Sequence, residues 1–304
     1  MANFEKVLPD TYLLKTRFGE LWSGVYLLTG EQNILVDTGA YAETVDNEIV
    51  PALKQLSMTP KHIDWIINTH SHGDHVGGNR RLLELSDGHI KVAAYEGAVD
   101  KIENPLHYGR EIRMTYPKHS PPPQSVLDGC PVDLSLAEND ALGKRLRVIH
   151  TPGHDSECIC LLDLQTNALF TGDTLQGFGT AGLQGAAGLV FYRYLPQYRK
   201  SLKKIAELRV DHILSAHDYI PYGCFAHGEQ EVNRYLEACK TAIDICGVLT
   251  RRALDEGCTD TAEIARRLIR SMGAAMPEKL FMAMFTVDQH IAEIREGRYS
   301  LAAE

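Results

Sequence analysis

The sequence feature that most constrains this chain is a dense cluster of metal-ligand side chains between positions 68 and 75. The segment reads Asn-Thr-His-Ser-His-Gly-Asp-His and contains His70, His72, Asp74 and His75. Each neutral imidazole needs a partner for its lone pair, and the carboxylate repels other anions. Zinc satisfies both demands, because it binds nitrogen and oxygen donors at roughly 2.0–2.2 Å. The pattern therefore predicts a metal site rather than a histidine-rich surface loop.

The cluster lies where a strand ends and a helix begins. The apolar, β-branched run 63–67 predicts a buried strand, and the residues after the cluster read as the opening of a helix. In an extended segment His70 and His72 point the same way, because side chains alternate along a strand. Asp74 and His75 turn a different face at the helix start. One short loop can therefore serve two adjacent metal ions.

Further ligand-type side chains stand at the ends of other predicted strands. His154, Asp173 and His217 each follow an apolar run, and Asp37 ends another one upstream in the same way. An α/β fold typically places its site just past the ends of its strands. We therefore expect these residues at the same site.

Five motifs, present in order, resemble those of the metallo-β-lactamase superfamily. They are LVDTG with Asp37, HSHGDH at 70–75, TPGH with His154, TGD with Asp173 and SAH with His217. No metal position is replaced. The resemblance implies an α/β fold, the αββα sandwich of the metallo-β-lactamase type, to which this chain adds a helical C-terminal extension.

The resemblance also implies a dinuclear metal site. One ion would be held by His70, His72 and His154 and the other by Asp74, His75 and His217, with Asp173 bridging them. Asp37 would orient the loop of ligands, and Asp74 would orient the attacking solvent. His150 and His212 match no ligand position, so we interpret both as structural. The implied cofactors are two Zn²⁺ ions, with iron or manganese as alternatives.

The amino-acid composition limits the kinds of partner that we expect for this protein and the cellular compartment in which we expect it. The chain has 304 residues and a net charge of −9, which argues against a broad basic surface, so no nucleic-acid partner is expected. No apolar run approaches the roughly 18 residues of a membrane span, and no secretory signal is evident at the start. Seven cysteines without paired metal spacing are interpreted as reduced packing residues. We therefore expect a cytoplasmic protein.

The order of strand and helix patterns divides the chain into two parts. Residues 1–227 are predicted to form the catalytic domain and residues 228–304 a helical extension. Paired strands with a turn at 138–140 are expected between Val132 and Val148. Helices are expected at 42–56 and 196–209 and, in the extension, at 229–249, 261–272 and 277–297.

Three regions keep alternative interpretations. Residues 105–123 are basic, aromatic and proline-rich, which suits either a flexible surface excursion or a flap beside the metals. The glycine-rich segment 175–190 is either a mobile rim over the site or a plain surface loop. Methionines of the extension suit a pocket wall, a dimer surface or ordinary core, because methionine adapts to irregular contacts. They are Met272, Met276, Met282 and Met284.

The function that the resemblance favours is attack by metal-bound hydroxide on a carbonyl ester-type bond, because zinc lowers the pKa of its water towards neutrality. Thioesters, lactones and esters all fit, and the expected partner is a small molecule. The expected cytoplasmic setting weighs against a β-lactam hydrolase, which stays an alternative. Two further alternatives are an iron-dependent oxidoreductase like a persulfide dioxygenase and a binding protein with vestigial metals. A homodimer is one alternative for the assembly.

Overall fold

The computed structural model consists of two facing β-sheets with helices on both outer sides. It describes residues 3–120, 128–182, 188–274 and 280–297, and of Tyr108 the backbone alone. The predicted αββα sandwich with a helical C-terminal region is confirmed.

The first sheet contains seven strands in the order of the sequence. They are β1 (Glu5–Leu8), β2 (Thr11–Phe18), β3 (Leu21–Leu28), β4 (Ile34–Val36), β5 (Trp65–Asn68), β6 (Lys91–Tyr95) and β7 (Leu134–Leu136). Strands β1 to β4 pair antiparallel, whereas β4 to β7 run parallel. Parallel neighbours need crossover connections, which explains why helices intervene only in the second half of this sheet.

The second sheet contains six strands in the order β13-β12-β11-β10-β9-β8. They are β8 (Ala141–Leu142), β9 (Leu146–His150), β10 (Ile159–Asp163), β11 (Ala168–Gly172), β12 (His212–Tyr219) and β13 (Gly223–His227). Its pairings are antiparallel except for that of β11 with β12. A long connection, whose described part contains a helix at Leu195–Leu208, joins these two parallel strands.

Helices cover the outer face of each sheet. Beside the first sheet are α1 (Ala42–Thr44), α2 (Val50–Gln55), α3 (Gly73–Val76), α4 (Asn79–Leu85) and α5 (Val99–Glu103), with a π-helical stretch Val45–Ile49 between α1 and α2. Helix α6 (Pro105–Thr115) follows α5 and packs instead against Phe191 and Phe285. Later in the chain are α7 (Leu195–Leu208), α8 (Gly228–Asp255), α9 (Thr261–Ser271) and α10 (Leu280–Arg295). Among the helices that the structure describes, none combines enough length with enough apolar character to span a membrane.

Alternation along the strands creates three apolar layers. On β10, Ile159 and Leu161 point between the sheets, while Cys160 and Leu162 point towards the outer helices. The inner layer joins both sheets, and the two outer layers pack on α2, α4 and α5 or on α7 to α10. Both sheets are therefore covered on both faces, which explains the nearly continuous apolar character of their central strands.

The predicted pairing of strands between Val132 and Val148 is wrong. β7 pairs parallel with β6 in the first sheet, whereas β9 pairs with β8 and β10 in the second. Residues 138–140 connect the two sheets, and the chain reverses at Gly143, where φ is 60°. Both runs alternate in polarity, and alternation identifies the buried face of a strand but not its partner.

Two regular elements were not predicted from the sequence. Helix α6 occupies 105–115, where the sequence shows no clear period, and Pro105 lies in its first turn, a position that tolerates proline. Strand β13 follows β12 after a short turn and forms the edge of the second sheet.

The three helices expected after residue 228 are present. α8 extends past its predicted end at Leu249, α9 begins at Thr261 as predicted, and the first predicted residues of the last helix, 277–279, lie outside the described residues. These helices share one apolar layer with the second sheet. The division of the chain at residues 227 and 228 stays a prediction.

Candidate metal centre

Four segments that follow or end central strands converge at one edge of the sandwich. The segment 70–75 follows β5 and leads into α3, His154 follows β9 and Asp173 follows β11. His217 lies within β12, which continues to Tyr219, so it does not stand past a strand end as the sequence predicted. The predicted ligand side chains nevertheless come together.

The donor atoms of seven side chains form two groups, and within each group they lie within 4.8 Å of one another. One group is His70, His72, His154 and Asp173, and the other is Asp74, His75 and His217. All seven are buried except Asp74, which is partly exposed. Each group could hold a metal ion.

Asp173 faces both groups with different oxygens. Its Oδ1 lies 3.4 Å from His217 Nε2 and 3.6 Å from His75 Nε2. Its Oδ2 lies 3.4 Å from His154 Nε2 and 3.9 Å from His70 Nε2. Ligands about 2.1 Å from a tetrahedral zinc ion are about 3.4 Å from one another. The spacing therefore suits donors to a shared pair of cations.

Several buried donor and acceptor atoms of these groups have no hydrogen-bond partner within the described residues. They are His70 Nε2, His75 Nε2 and Asp173 Oδ1. Buried polar atoms are normally satisfied, and leaving one unpaired costs roughly 1–3 kcal/mol. Three such atoms facing one another are explained by cations that bind them, so the residues present fit the metal ions that the sequence implies.

Three of the histidines are oriented by a contact to their outer nitrogen. His75 Nδ1 lies 2.8 Å from Asp37 Oδ2, His154 Nδ1 lies 2.9 Å from the carbonyl of Phe191, and His217 Nδ1 lies 2.5 Å from that of Trp22. When Nδ1–H donates to these oxygens, the lone pair of Nε2 points into the centre. The surrounding chain thus selects the tautomer that a metal ion requires.

Asp37 fixes the ligand loop as well as His75. Its Oδ1 accepts from the backbone nitrogen of Thr69 and its Oδ2 from the Thr69 hydroxyl, both at 2.8 Å. Its own backbone is left-handed, with φ of 59°. This is the orienting position that the resemblance implies for Asp37.

His72 is oriented the other way, because its Nδ1 rather than its Nε2 faces another histidine of its group. Its Nε2 faces a residue that the sequence analysis did not identify. Its Nδ1 lies 3.1 Å from His154 Nε2, and its Nε2 lies 3.5 Å from Asp155 Oδ2. Asp155 accepts from Arg193 Nη1 at 2.8 Å, and Arg193 Nη2 donates to Glu111 Oε1 at 2.5 Å. This relay, buried at Asp155 and Arg193 and ending on the exposed Glu111, joins a predicted ligand to α6. The available signal in the sequence is the place of Asp155 directly after His154.

Burial and neighbouring charges set the protonation of the ligand groups. Burial, with repulsion from His72, lowers the pKa of His154 to about 4. Burial also lowers the pKa of His70. Burial would also lower the pKa of His217, but the Asp173 carboxylate outweighs it and the pKa is raised to about 10. His70 and His154 therefore offer a free lone pair, whereas a cation must displace a proton from His217.

The two histidines interpreted as structural lie outside both groups. His150 stacks on Tyr95 at 4.2 Å between ring centroids, and its Nε2 lies 2.8 Å from the Ser156 carbonyl. His212 contacts His227 on the neighbouring strand, with 2.9 Å between their Nδ1 atoms. Neither ring belongs to the metal-binding groups found among the described residues.

A cavity of about 930 Å³ lies against the two groups. Asp74, Asp173 and His217 are among the residues that line it, and most of the remaining lining is apolar. Its walls come from α6, from residues 188–191 and from α9 and α10. The centre therefore faces a space large enough for a small molecule.

The region 105–123 contributes to this wall. α6 and the residues up to Ser120 line the cavity, which agrees with a flap beside the metals rather than a surface excursion. Residues 121–123 lie outside the described residues. The segment 175–190 also reaches the cavity, through Gln176 and Leu189. Its position agrees with a rim, while its mobility stays a prediction and residues 183–187 are not described.

The methionines of the C-terminal region have different positions. Met282 lines the cavity, Met284 is buried in the outer apolar layer, and Met272 is partly buried. Met276 lies outside the described residues. A pocket wall and ordinary core are therefore both represented, and the dimer surface stays a prediction.

Residues 23–217 match the family described as the metallo-beta-lactamase superfamily. The chain belongs to this superfamily. The matched range contains all seven predicted ligands, and the family that the sequence motifs indicated is confirmed.

Proteins with similar sequences include some that are named as enzymes. A beta-lactamase-like protein 2 homolog of Caenorhabditis elegans is 33% identical over 199 residues, which cover 64% of this chain and 55% of that protein. A hydroxyacylglutathione hydrolase of Pelagibacter ubique is 30% identical over 194 residues, covering 62% and 66%. An atrochrysone carboxyl ACP thioesterase of Emericella nidulans is 24% identical over 185 residues, covering 60% and 50%. The chain spans only about half to two thirds of the length of these relatives.

Solved structures share the fold over nearly the whole chain. A metallo-beta-lactamase family protein from Thermus thermophilus superposes with a TM-score of 0.73 at 22% identity, covering 96% of this chain and 95% of that one. A beta-lactamase domain protein from Burkholderia ambifaria gives 0.70 at 18% identity, covering 97% and 88%. This coverage includes the C-terminal helices, so they belong to a recurring architecture.

Proposed function

We propose that this chain is a dinuclear, zinc-dependent hydrolase of a carbonyl ester-type bond. His70, His72 and His154 would hold one ion, Asp74, His75 and His217 the other, and Asp173 would bridge them. The observation that carries this proposal is the pair of donor groups that share Asp173, whose two oxygens face opposite groups.

The protein's own side chains would position the reactants. When bound, the two ions supply Lewis acidity and a water molecule whose pKa is lowered towards neutrality. Asp74 is the most accessible ligand, with its side chain 14% exposed, and its Oδ2 lies 3.3 Å from His217 Nε2. It is therefore placed to accept a hydrogen bond from a water molecule in the cavity and to hold it towards a substrate carbonyl.

The substrate is proposed to be a small thioester, lactone or ester. The mostly apolar cavity suits an acyl group, and the relatives include proteins named as a hydroxyacylglutathione hydrolase and an ACP thioesterase. The net charge of −9 disfavours a nucleic acid, and we propose no membrane partner. We also propose that the protein resides in the cytoplasm and forms a homodimer.

A substrate panel with parallel metal analysis tests the proposal. The purified protein is stripped with a chelator, reloaded with zinc, iron or manganese, and assayed on acyl-CoA, S-lactoylglutathione, homoserine lactone and cephalosporin. We expect about two metal ions per chain and zinc-dependent turnover of at least one ester-type substrate.

Two outcomes would overturn the proposal. The first is iron-dependent oxygen consumption with glutathione persulfide and no hydrolysis in the panel, which would identify an oxidoreductase. The second is cleavage of cephalosporin alone, which would identify a β-lactam hydrolase.

A further inference from the structure

The wall of the cavity contributed by α6 contains two arginines among apolar side chains. Leu106 and Ile112 line the cavity together with Arg110 and Arg113. Positions 106, 109, 110 and 113 share one face of the helix, because side chains three or four residues apart lie side by side. α6 therefore presents a mixed surface, apolar and cationic, to the same space that the metal centre faces.

Arg113 is the more enclosed of the two. Arg110 is exposed, whereas Arg113 is partly buried and its Nη1 atom has no hydrogen-bond partner within the described residues. Burial lowers the pKa of Arg113 below its usual range, but the guanidinium remains charged at neutral pH. Because Arg113 is only partly buried, the cost concerns its enclosed Nη1 donor, since a buried N–H group without a partner loses its hydrogen bonds to water. Such a group is a candidate for binding an anion supplied by a ligand.

Among the described residues, the other enclosed arginines either have carboxylate partners or lie away from the cavity. Arg145 Nη2 donates to Asp163 Oδ2 at 2.9 Å, and Arg193 contacts both Asp155 and Glu111. Arg147 also has an unpaired Nε atom, but it lies on β9 and does not line this cavity. Arg113 thus combines an unpaired buried guanidinium nitrogen with access to the space in front of the metal centre.

We infer that the substrate carries an anionic group, a carboxylate or a phosphate, which Arg113 binds while the apolar walls hold the chain between that group and the reacting carbonyl. The guanidinium offers parallel N–H donors that match either anion. The apolar side chains of Leu106, Phe281 and Met282 suit the intervening hydrocarbon. This inference rests on the proposed hydrolase function and adds the class of substrate: an acyl compound with an anionic far end.

A binding experiment tests the inference without requiring turnover. Zinc-loaded protein is titrated calorimetrically with linear monocarboxylates of four to twelve carbons and with the dicarboxylates of the same lengths. At the best chain length we expect the dicarboxylate to bind about 10- to 100-fold more tightly, because a charge-assisted hydrogen bond contributes that much. The ω-phosphono acid of that length distinguishes a phosphate-binding from a carboxylate-binding site.

Substitutions of Arg113 test whether this residue causes the preference for a second anionic group. Arg113→Met keeps the apolar stem and should remove the preference for the second anion, whereas Arg113→Lys should retain part of it. Arg234→Met is the matched control, because Arg234 is exposed on α8 and does not line the cavity. It should leave the preference unchanged. Equal affinity for monoacids and diacids at every length, or an unchanged preference in Arg113→Met, would overturn the inference.

Hydrolysis distinguishes this inference from the proposed function. The 4-nitrophenyl esters of octanoic acid and of octanedioic acid, the latter with a free carboxylate, are compared by kcat/KM. Absence of zinc-dependent turnover of any ester would contradict the proposed function, while the calorimetric preference would still identify the anion site. Turnover without a preference for the acidic ester or acid would contradict the anion site alone.

Discussion

Asp173 is the residue that connects the two donor groups, because one of its oxygens faces each of them. Each of its oxygens lies within 3.4 Å of a histidine nitrogen of a different group. Its neighbours His217 and His75 keep its pKa below its usual range even though burial acts in the opposite direction, so the carboxylate is ionised. No neutral side chain can therefore replace Asp173, because none offers a charged oxygen to each group.

Replacing Asp173 by asparagine should separate the two metal sites. In Asp173→Asn the side chain keeps its shape but loses the charge and one oxygen acceptor, so we expect metal content to fall from about two ions to one or none and kcat to fall at least about 100-fold. Elemental analysis alongside the ester assay measures both. Asp244→Asn, at an exposed position on α8, is the matched control. Full metal content with normal turnover would contradict the bridging role.

Asp155 should act on metal affinity through His72. Asp155→Asn weakens the acceptor that faces His72 Nε2, and changes of this kind reduce zinc affinity roughly 10- to 100-fold. Competition with a chromophoric chelator gives the dissociation constant. Asp163→Asn breaks a buried pair with Arg145 elsewhere in the fold, so it should cost stability without changing zinc affinity. Equal zinc affinity in wild type and Asp155→Asn would refute the proposed positioning.

At the scale of elements, α6 is held by contacts from three directions. Arg193 binds its Glu111, and Ile112 packs with Phe191 and Phe285. The Tyr116 hydroxyl, directly after α6, donates to Asp288 on α10. The cavity wall is therefore tied both to the metal-ligand relay and to the C-terminal helices.

Removing the Tyr116 hydroxyl should loosen that wall. Tyr116→Phe keeps the ring but loses the hydrogen bond to Asp288, so we expect a loss of about 1 kcal/mol in the free energy of unfolding. Hydrogen exchange in residues 105–115 should become faster. Tyr222→Phe is the control, because its ring packs on Tyr235 and its hydroxyl has no partner within the described residues. Unchanged exchange in α6 would show that this contact does not restrain it.

The sequence predicts elements well where a single pattern suffices. The helices after residue 228 follow from local periodicity. The pairing of β7 with β6 does not, because a short alternating strand is compatible with either sheet. α6 is missed since its apolar side chains form no regular stripe: Leu106 and Met114 are exposed at the cavity, whereas Ile112 packs in a small buried cluster. Asp155 and Arg113 acquire their environments only through contacts distant in sequence.

At the scale of the molecule, the outer layer behind the second sheet contains a buried histidine that links α10 to the sandwich. His290 Nε2 lies 2.5 Å from the Tyr192 hydroxyl, while Nδ1 is 4.0 Å from Glu293 Oε2. Burial, assisted by the positive charge of Arg199, lowers the pKa of His290 to about 3. The folded protein thus keeps this imidazole neutral under conditions in which the unfolded chain would protonate it.

His290 should make the global stability depend on pH. Between about pH 6.5 and 3 the unfolded chain binds a proton that the folded protein excludes, so stability falls as the pH falls. From pH 6.5 to 5 the loss of stability amounts to about 1.6 kcal/mol. Urea unfolding at several pH values should show that dependence reduced by a similar amount in His290→Gln. Parallel pH dependences in the two proteins would be inconsistent with a neutral buried His290. Loss of metal in acid affects both proteins and cancels in the comparison.

The helices after residue 228 contribute Ile269, Phe281 and Met282 to the cavity while the donor groups all come from earlier in the chain. Part of the cavity wall therefore comes from a stretch of the chain that supplies none of the donor groups found among the described residues. Evolution can therefore change the shape of the cavity through substitutions in the C-terminal helices while every side chain of the two donor groups stays the same.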